Sequence, residues 1–303
     1  NLKEDIFLNN QNETEPVDYI IIARSDMIFQ AERLAQINRD NNNLNVQVVD
    51  VQQIYNEFSS GNQDISAIRN FVRYVYSNQS NENALKYICL FGDASFDYKD
   101  RIASNTNIIP SWYSLNSFSL SSSYVSDDFF GMMDFNEGLM SSSNKLDIAV
   151  GRILADSNDR AVDLVDKIES YYSQDSFDDW RNKLIVISDD VDEPWENIIQ
   201  STSNNIADLI SENKPFFNTK KILSDAYNQE TSSGGERYPE VKNQIINGMK
   251  QGALVINYFG HGGEDGIARE RIFDKIDASE VINENKLNCF VSVTCEFTKF
   301  DNP

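Results

Sequence analysis

The chain is poor in basic residues and in histidine. Its 303 residues include 26 Lys and Arg against 48 Asp and Glu, a net charge of −22 and one His. Such acidity argues against nucleic acid and against an anionic membrane surface as partners. No stretch approaches the roughly 18 apolar residues of a transmembrane helix, and there is no solenoid-type repeat. We expect Asn1 and Pro303 to be internal cuts of a longer protein, so the lack of a signal peptide at Asn1 says nothing about export.

Cysteines are also scarce, with Cys89, Cys289 and Cys295 the only three. Their odd number and the lack of Cys-x-x-Cys spacing argue against a disulfide framework and a zinc site. Cys89 lies inside the apolar run 87–91 and Cys289 opens the last apolar run of the chain. Both are therefore predicted to be small buried hydrophobic residues.

Short apolar segments alternate with amphipathic helical segments over most of the chain. This pattern predicts an α/β fold whose mainly parallel sheets are flanked by helices. The predicted strands are Tyr19–Ala23, Val46–Val51, Tyr87–Phe91, Leu146–Val150, Leu184–Ile187, Lys221–Leu223, Ala253–Asn257 and Phe290–Val293. The first sheet is expected to end near Gly151-Arg152, which gives two subdomains, residues 1–152 and 153–303. Residues 93–144 break the alternation, as functional loops and hairpin insertions do.

The single histidine and one of the cysteines each follow an apolar run. His261 comes after the run 253–257, within Asn257-Tyr258-Phe259-Gly260-His261-Gly262-Gly263, and Cys295 comes after the run 289–293. Two neighbouring parallel strands would present these residues side by side at their carboxyl ends, where open α/β sheets place their sites. A thiol needs a base or a cation nearby to become a nucleophile at neutral pH. The pair is therefore typical of a cysteine peptidase.

A cysteine after a strand is more often a packed core residue than a nucleophile. The glycines around His261 favour the catalytic interpretation, because they let the chain turn sharply and argue against a filled core position. They also leave the Gly262 amide free to face a ligand. The amides of Gly262 and Cys295 are the predicted oxyanion hole.

These motifs resemble those of the gingipain family of cysteine peptidases, in the caspase-like clan. The family shows an apolar run ending in His-Gly and a second ending in the catalytic Cys, here Asn-Tyr-Phe-Gly-His-Gly-Gly (257–263) and Val-Ser-Val-Thr-Cys-Glu (291–296). Residues 87–93, 126–131 and 146–152 are similar to stretches of the family's first subdomain. The resemblance implies a caspase-like, gingipain-like fold with the catalytic residues in residues 153–303, and a non-catalytic first subdomain that shapes the cleft.

The resemblance also implies roles for individual residues. Cys295 would be the nucleophile and His261 the general base, and later the acid for the leaving amine. The family orients its histidine with a carboxylate that follows an earlier strand, and here Asp190 is the better match, with Asp189 next to it. The open alternative is that Asp190 is a turn or helix-capping residue.

Substrate preference and metal binding are less clearly marked. Arginine-cleaving gingipains carry an acidic residue in a segment that matches Ile199–Asn205, which has none. We therefore expect little preference for Arg or Lys before the scissile bond, although Glu193, Glu196 and Glu296 lie near in sequence. No cofactor is expected to be required. Asp127 and Asp128, with Asp134, are weak calcium candidates, and a solvated acidic turn is the alternative that we favour.

The tail, residues 294–303, resembles the outer-membrane sortases of the type IX secretion system of Bacteroidetes more than the secreted gingipains. This implies cleavage of the C-terminal sorting domain of secreted cargo, transfer of the cargo to a lipopolysaccharide amine, outer-membrane secretion partners and a location on the outer face of the outer membrane. Two alternatives stay open: a secreted, protein-degrading cysteine endopeptidase, and a non-catalytic binding scaffold.

Overall fold

The computed structural model of the chain describes residues 2–6, 16–79, 85–119, 122–233, 235–297 and 299–302. The chain divides into two compact units, Asn1–Glu169 with Phe300–Pro303, and Ser170–Lys299. Each unit contains a four-stranded parallel sheet flanked by helices. The predicted fold class is therefore confirmed.

The first unit is built on a parallel sheet with the strand order β2-β1-β3-β6. Its elements are α1 (Leu2–Asp5), β1 (Tyr19–Ala23), α2 (Ile28–Asn42), β2 (Val46–Asp50), α3 (Val51–Phe58), α4 (Ile65–Asn78), β3 (Tyr87–Phe91), β4 (Trp112–Tyr113), β5 (Val125–Ser126), β6 (Ala149–Ile153) and α5 (Asn158–Tyr172). Strands β1 and β3 coincide with the predicted ones, because each is a continuous apolar run buried by its neighbours. Asp50 and Asp64 cap α3 and α4 by accepting hydrogen bonds from backbone amides.

The predicted subdomain boundary at Gly151-Arg152 falls inside β6, where Gly151 lies opposite Cys89 of β3. Arg152 is a buried anchor of this unit. Its guanidinium contacts both carboxylate oxygens of Asp127 at 2.7 Å and donates to the carbonyls of Gly92 and Ile109. The Asp127 oxygens, named above as weak calcium candidates, are thus engaged by a cation of the protein itself. Asp128 is exposed.

The second unit is built on a parallel sheet with the strand order β15-β11-β7-β8. Its elements are β7 (Lys183–Ser188), α6 (Asn197–Asn213), β8 (Asn218–Leu223), β9 (Glu230–Ser232), β10 (Gly235–Arg237), α7 (Pro239–Gln251), β11 (Val255–Phe259), β12 (Gly262–Gly263), β13 (Gly266–Ile267), β14 (Phe273–Asp274), α8 (Lys275–Glu280) and β15 (Cys289–Val293). Strands β12, β13 and β14 form a small antiparallel sheet directly after β11. A short 3₁₀ helix, Pro194–Glu196, leads into α6.

In the described part of the chain, β15 lies at the edge of its sheet and pairs only with β11. Val291 is 41% exposed and Val293 53% exposed. Cys289 is exposed as well, so its predicted burial is wrong. Within the described ranges, no helix is both long enough and apolar enough to cross a membrane.

Candidate active site

His261 and Cys295 lie at the carboxyl ends of two adjacent parallel strands. In the β11–β15 pair, Phe259 is opposite Val293, and each candidate residue comes two positions later. The Gly260 amide donates to the carbonyl of Val293 at 3.2 Å, which extends the pairing beyond the strands. The structure therefore places the histidine and cysteine segments side by side, as the sequence predicts.

Glycine is needed beside His261 for close packing. A Cβ at Gly262 would lie 2.4 Å from Oγ1 of Thr294, and one at Gly260 would lie 2.5 Å from Cβ of Asp189. Neither glycine has a positive φ angle. The glycines thus let the His261 loop approach its neighbouring segments closely, and they do not serve the left-handed turn for which glycine is often required.

The backbone of His261 is held from several sides. Its amide donates to Oδ2 of Asp189 at 2.7 Å. Its carbonyl accepts hydrogen bonds from the Tyr258 hydroxyl at 2.6 Å and from the Ala268 amide at 2.8 Å. Because both ends of this residue are fixed, the position of its imidazole is set before any substrate binds.

A buried carboxylate contacts the imidazole. Oε1 of Glu196 lies 2.8 Å from Nε2 of His261, and the Glu196 side chain is 1% exposed. The hydrogen bond with His261 lowers the pKa of Glu196, which keeps this side chain ionised. Its Oε2 atom accepts the Glu193 amide at 2.7 Å in a capping box of the 3₁₀ helix. With Nε2 engaged, Nδ1 is the ring nitrogen left for proton transfer.

The structure shows that Glu196, and not the predicted Asp190, contacts the imidazole of His261. Oδ2 of Asp190 instead accepts the Tyr238 hydroxyl at 3.2 Å and lies 3.5 Å from the side-chain nitrogen of Gln229. Its neighbour Asp189 holds the backbone of His261. Glu196 follows the end of β7 by several residues. The sequence Glu193-Pro194-Trp195-Glu196 is typical of a helix start. It therefore gives no indication that Glu196 contacts a histidine far along the chain.

The segment that follows β15 exposes the candidate nucleophile. Cys295 is solvent-exposed. Its carbonyl accepts the Phe297 amide at 2.6 Å, and Glu296 between them has a φ of 50°. Such a left-handed non-glycine residue is uncommon and is often found beside functional groups. Among the residues that the structure describes, no acceptor takes the Cys295 amide.

The other predicted oxyanion donor, Gly262, lies next to this segment. Its Cα faces Thr294 and the Cys295 carbonyl. The carbonyl of His261 accepts from Ala268 across the hairpin of β12 and β13. Because neighbouring residues of an antiparallel ladder point their amides to opposite sides, the Gly262 amide faces away from β13. The positions of both amides are compatible with an oxyanion hole.

The acids near the site differ in what they can contact. Glu196 is buried against His261 and is not available to a substrate side chain. Glu193 and Glu296 are exposed. Residues 199–205 lie on α6 and contain no acid.

A group of three carboxylates lies behind the His261 loop. Ligand oxygens of Asp189, Asp190 and Glu270 all fall within 4.8 Å of one another. Burial raises the pKa of Asp189 to about 6 and that of Glu270 to about 7, and it also raises the pKa of Asp190. In the described parts of the chain this is the one group of His, Cys, Asp and Glu side chains spaced to hold a metal ion.

Comparison with known proteins assigns a family to the chain. The model of peptidase family C25 matches residues 12–303. The chain is similar in structure to the Arg-specific cysteine proteinase gingipain R (RgpB), with 19% identity, a TM-score of 0.65 and coverage of 95% of this chain and 56% of that one. It is also similar to the complex of the Porphyromonas gingivalis RgpB pro- and mature domains, with 18% identity, a TM-score of 0.61 and coverage of 92% and 55%.

A third similar structure is dimeric latent PorU from Porphyromonas gingivalis, with 28% identity, a TM-score of 0.43 and coverage of 54% of this chain and 17% of that one. The chain thus spans about a sixth of the PorU chain and little more than half of the gingipain chains. No curated protein matches it significantly. The family match covers almost the whole sequence and agrees with the fold and with the motifs around His261 and Cys295. The chain belongs to peptidase family C25, the gingipain family of cysteine peptidases.

Proposed function

We propose that Cys295 is the nucleophile of a cysteine endopeptidase, that His261 is its general base and then its general acid, and that Glu196 positions the imidazole. The observation that carries this proposal is the pairing of β11 with β15, which places the histidine and cysteine segments side by side while a buried carboxylate contacts the ring. A thiol, a base and a group that orients the base are the recurring parts of nucleophilic acyl transfer.

In the first half-reaction the Cys295 thiol transfers its proton to Nδ1 of His261. The sulfur then attacks the carbonyl carbon of the scissile peptide bond, and the carbonyl electron pair moves onto the oxygen. The amides of Gly262 and Cys295 donate hydrogen bonds to that oxyanion. When the tetrahedral intermediate collapses, the carbon–nitrogen bond breaks and the imidazolium returns its proton to the leaving amine, which yields a thioester at Cys295.

In the second half-reaction a nucleophile attacks the thioester, His261 accepts its proton, and the carbon–sulfur bond breaks to restore the thiol. Water gives hydrolysis and an amine gives transpeptidation. We favour the amine, and hence a sortase like PorU, because residues 294–303 resemble the sortase branch of the family and because residues 199–205 of α6 include no acid that would receive a basic side chain. A thioester suits this reaction because it can persist until an amine arrives.

In this proposal the substrates are secreted cargo proteins with a C-terminal sorting domain, and the acceptor is an amine of a surface lipopolysaccharide. The enzyme would act at the outer face of the outer membrane together with other secretion-system proteins. The second candidate is a secreted endopeptidase that hydrolyses extracellular protein. It is favoured by the similarity of the fold to the gingipain structures over more than nine-tenths of this chain.

The two candidates and the scaffold alternative differ in their products. The full-length protein that contains this chain should be incubated with cargo bearing a sorting domain, as wild type and as Cys295→Ala, and the products analysed by intact mass. We expect cleavage by the wild type alone, with the mass of an added amine at the new carboxyl end. Intact cargo together with degradation of an unrelated unfolded protein would support the general endopeptidase. Inactivity on both, with a Cys295 that alkylates no faster than an ordinary thiol, would support the scaffold.

A further inference from the structure

A large aromatic side chain lies against the imidazole of His261. The ring centroids of Trp195 and His261 are 5.9 Å apart, and the two ring planes are nearly perpendicular, at 88°. Trp195 is 62% exposed. Single exposed apolar residues are common on protein surfaces, so exposure alone does not indicate a function. The position of Trp195 does, because its exposed apolar surface lies beside the ring that transfers protons.

The backbone of Trp195 is held in place by its neighbours. It is the middle residue of the 3₁₀ helix that leads into α6, and Glu193 and Glu196 form a capping box around that helix. Pro194 opens the helix with a restricted φ angle, and its carbonyl accepts Nδ2 of Asn197 at 2.8 Å. The indole therefore projects from a fixed turn, which lowers the entropic cost of a contact with a ligand.

The strand order places Trp195 on the far side of the histidine from the nucleophile. Cys295 follows β15, His261 follows β11, and the 3₁₀ helix of Trp195 follows β7. These three strands are parallel neighbours in this order. Because parallel strands bring their carboxyl ends to one edge of the sheet, the three segments lie along that edge with the histidine in the middle.

The proposed reaction determines which part of a substrate lies beside His261. The acyl part stays on the sulfur of Cys295, whereas the leaving amine takes its proton from the imidazole. For that transfer the leaving nitrogen must come within about 3 Å of the ring, and Cα of the residue after the scissile bond is about 1.5 Å further on. A side chain on that residue can therefore contact Trp195, whose ring centroid is 5.9 Å from that of the imidazole.

The surroundings of the indole favour an uncharged side chain. Asp192 pairs with Arg269 at 2.9 Å, Glu193 caps the 3₁₀ helix, and Glu196 is bound to His261. Each of these acids thus has a partner within the protein and is not needed by a basic side chain of the substrate. The indole itself is a large apolar surface, which gains free energy when a contact removes it from water.

We propose that Trp195 is a specificity-determining residue that packs its indole against an apolar or aromatic side chain of the residue after the scissile bond. The inference rests on the proposed function, because it requires His261 to protonate the leaving amine. It adds a subsite on the leaving-group side of Cys295, formed by a residue that does not take part in proton transfer.

The test uses the full-length protein that contains this chain and cargo bearing a sorting domain. Once intact mass has located the cleaved bond, the residue after it is changed to Leu, Phe, Gly or Lys, and kcat/KM is measured for each cargo. The enzyme variants are Trp195→Ala and Trp195→Phe. The control is Phe216→Ala, because Phe216 is also 62% exposed and lies between α6 and β8.

We expect the wild type to cleave cargo with Leu or Phe at this position about tenfold faster than cargo with Gly. Trp195→Ala should reduce this ratio to about threefold or less, and Trp195→Phe should restore most of it. Phe216→Ala should leave the ratio unchanged. If Trp195 only supported the imidazole of His261, its replacement would slow the cleavage of all four cargos by the same factor and preserve the ratio.

Two results would overturn the proposal and leave Cys295 in place as the nucleophile. One is a ratio that is the same in Trp195→Ala and in the wild type. The other is a wild type that prefers Gly or Lys after the scissile bond. Failure of the proposed function is distinguishable from both, since the wild type would then cleave every cargo no faster than Cys295→Ala does, which would overturn the function and this subsite together.

Discussion

Oε1 of Glu196 lies 2.8 Å from Nε2 of His261, and this contact joins the 3₁₀ helix before α6 to the loop after β11. The carboxylate is buried and the imidazole side chain is 32% exposed. One side of the ring is therefore bound by the protein while the ring remains accessible. This division suits a base that must keep its orientation and still reach a thiol and a leaving amine.

Replacing Glu196 should therefore impair catalysis more than folding. We expect Glu196→Gln to lower kcat/KM about 10²-fold or more, mainly through kcat, because the ring loses its charged partner. Glu196→Asp should restore part of the loss. Steady-state kinetics measure the effect, and melting temperatures of the variants show whether they are folded.

Asp190→Asn provides the matched comparison for Glu196→Gln. If Asp190 were the residue that orients the imidazole, its replacement would cause the larger loss of kcat. The observed contacts predict the opposite order.

A pH profile of Glu196→Gln adds a second criterion. Because the hydrogen bond with His261 lowers the pKa of Glu196, this carboxylate stays ionised through the mildly acidic range. The loss in Glu196→Gln should then persist at every pH above the pKa of the wild-type carboxylate.

Gly262→Ala should disturb the active site by overpacking. The added methyl would meet Oγ1 of Thr294 at 2.4 Å and its Cγ2 at 3.2 Å, and we expect a loss of about 1–3 kcal/mol of unfolding free energy. Gly263→Ala is the control, since no atom of the described residues lies within 4 Å of the new methyl, and it should change stability by less than about 0.5 kcal/mol.

The double variant Gly262→Ala with Thr294→Ala removes the atoms that clash. We expect chemical denaturation to show that the double variant loses less unfolding free energy than the sum of the losses of the two single variants. Among the described residues, the buried Oγ1 of Thr294 has no hydrogen-bond partner, so Thr294→Ala alone should cost little polar interaction. Strictly additive effects would contradict the close approach of Gly262 to this segment.

The buried ion pair of the first unit should matter for stability and not for catalysis. Arg152→Met leaves Asp127 without its guanidinium, and we expect a loss of about 3–5 kcal/mol. The matched control is Arg24→Met, which breaks an exposed ion pair with Asp26 and should change the midpoint of denaturation little. Similar midpoints for the two variants would show that the Arg152 contacts stabilise the unit less than their burial indicates.

The substrate preference can be tested on short peptide amides. Because α6 has no acid at residues 199–205 and Glu196 is bound to His261, we expect poor cleavage after Arg or Lys compared with uncharged residues. A panel of fluorogenic substrates that differ only in this residue measures the preference. Efficient cleavage of an arginyl amide, abolished by Cys295→Ala, would show that another acid, such as Glu193 or Glu296, serves the substrate.

The sequence predicts those parts of the structure that depend on local patterns. Tyr19–Ala23 and Tyr87–Phe91 are strands within the predicted bounds, because continuous apolar runs of this length suit central parallel strands. The positions of His261 and Cys295 after adjacent strands follow from the same reasoning, because parallel strands bring their carboxyl ends to one edge.

The remaining features depend on contacts between distant segments. The apolar run of β15 gives no sign that, in the described part of the chain, this strand lies at the edge of its sheet with Cys289 exposed. On α6, Ile198 and Leu209 are exposed while Ser203 and Ala207 are buried, because small residues suit close packing there. Glu196 reads locally as a capping residue, and only the tertiary fold brings it to His261.

The most direct test of whether His261 is the base of Cys295 compares the reactivity of two thiols, one at each end of β15. Cys289 opens β15 and Cys295 follows its end, and both are exposed, so Cys289 is an internal control. The chain should be treated with iodoacetamide near neutral pH, and the rate at each cysteine measured by peptide mass spectrometry. We predict that Cys295 reacts at least about tenfold faster than Cys289 in the wild type and loses this advantage in His261→Ala. Equal rates at the two cysteines, or a fast Cys295 that is unchanged in His261→Ala, would contradict the assignment of His261 as the base of Cys295.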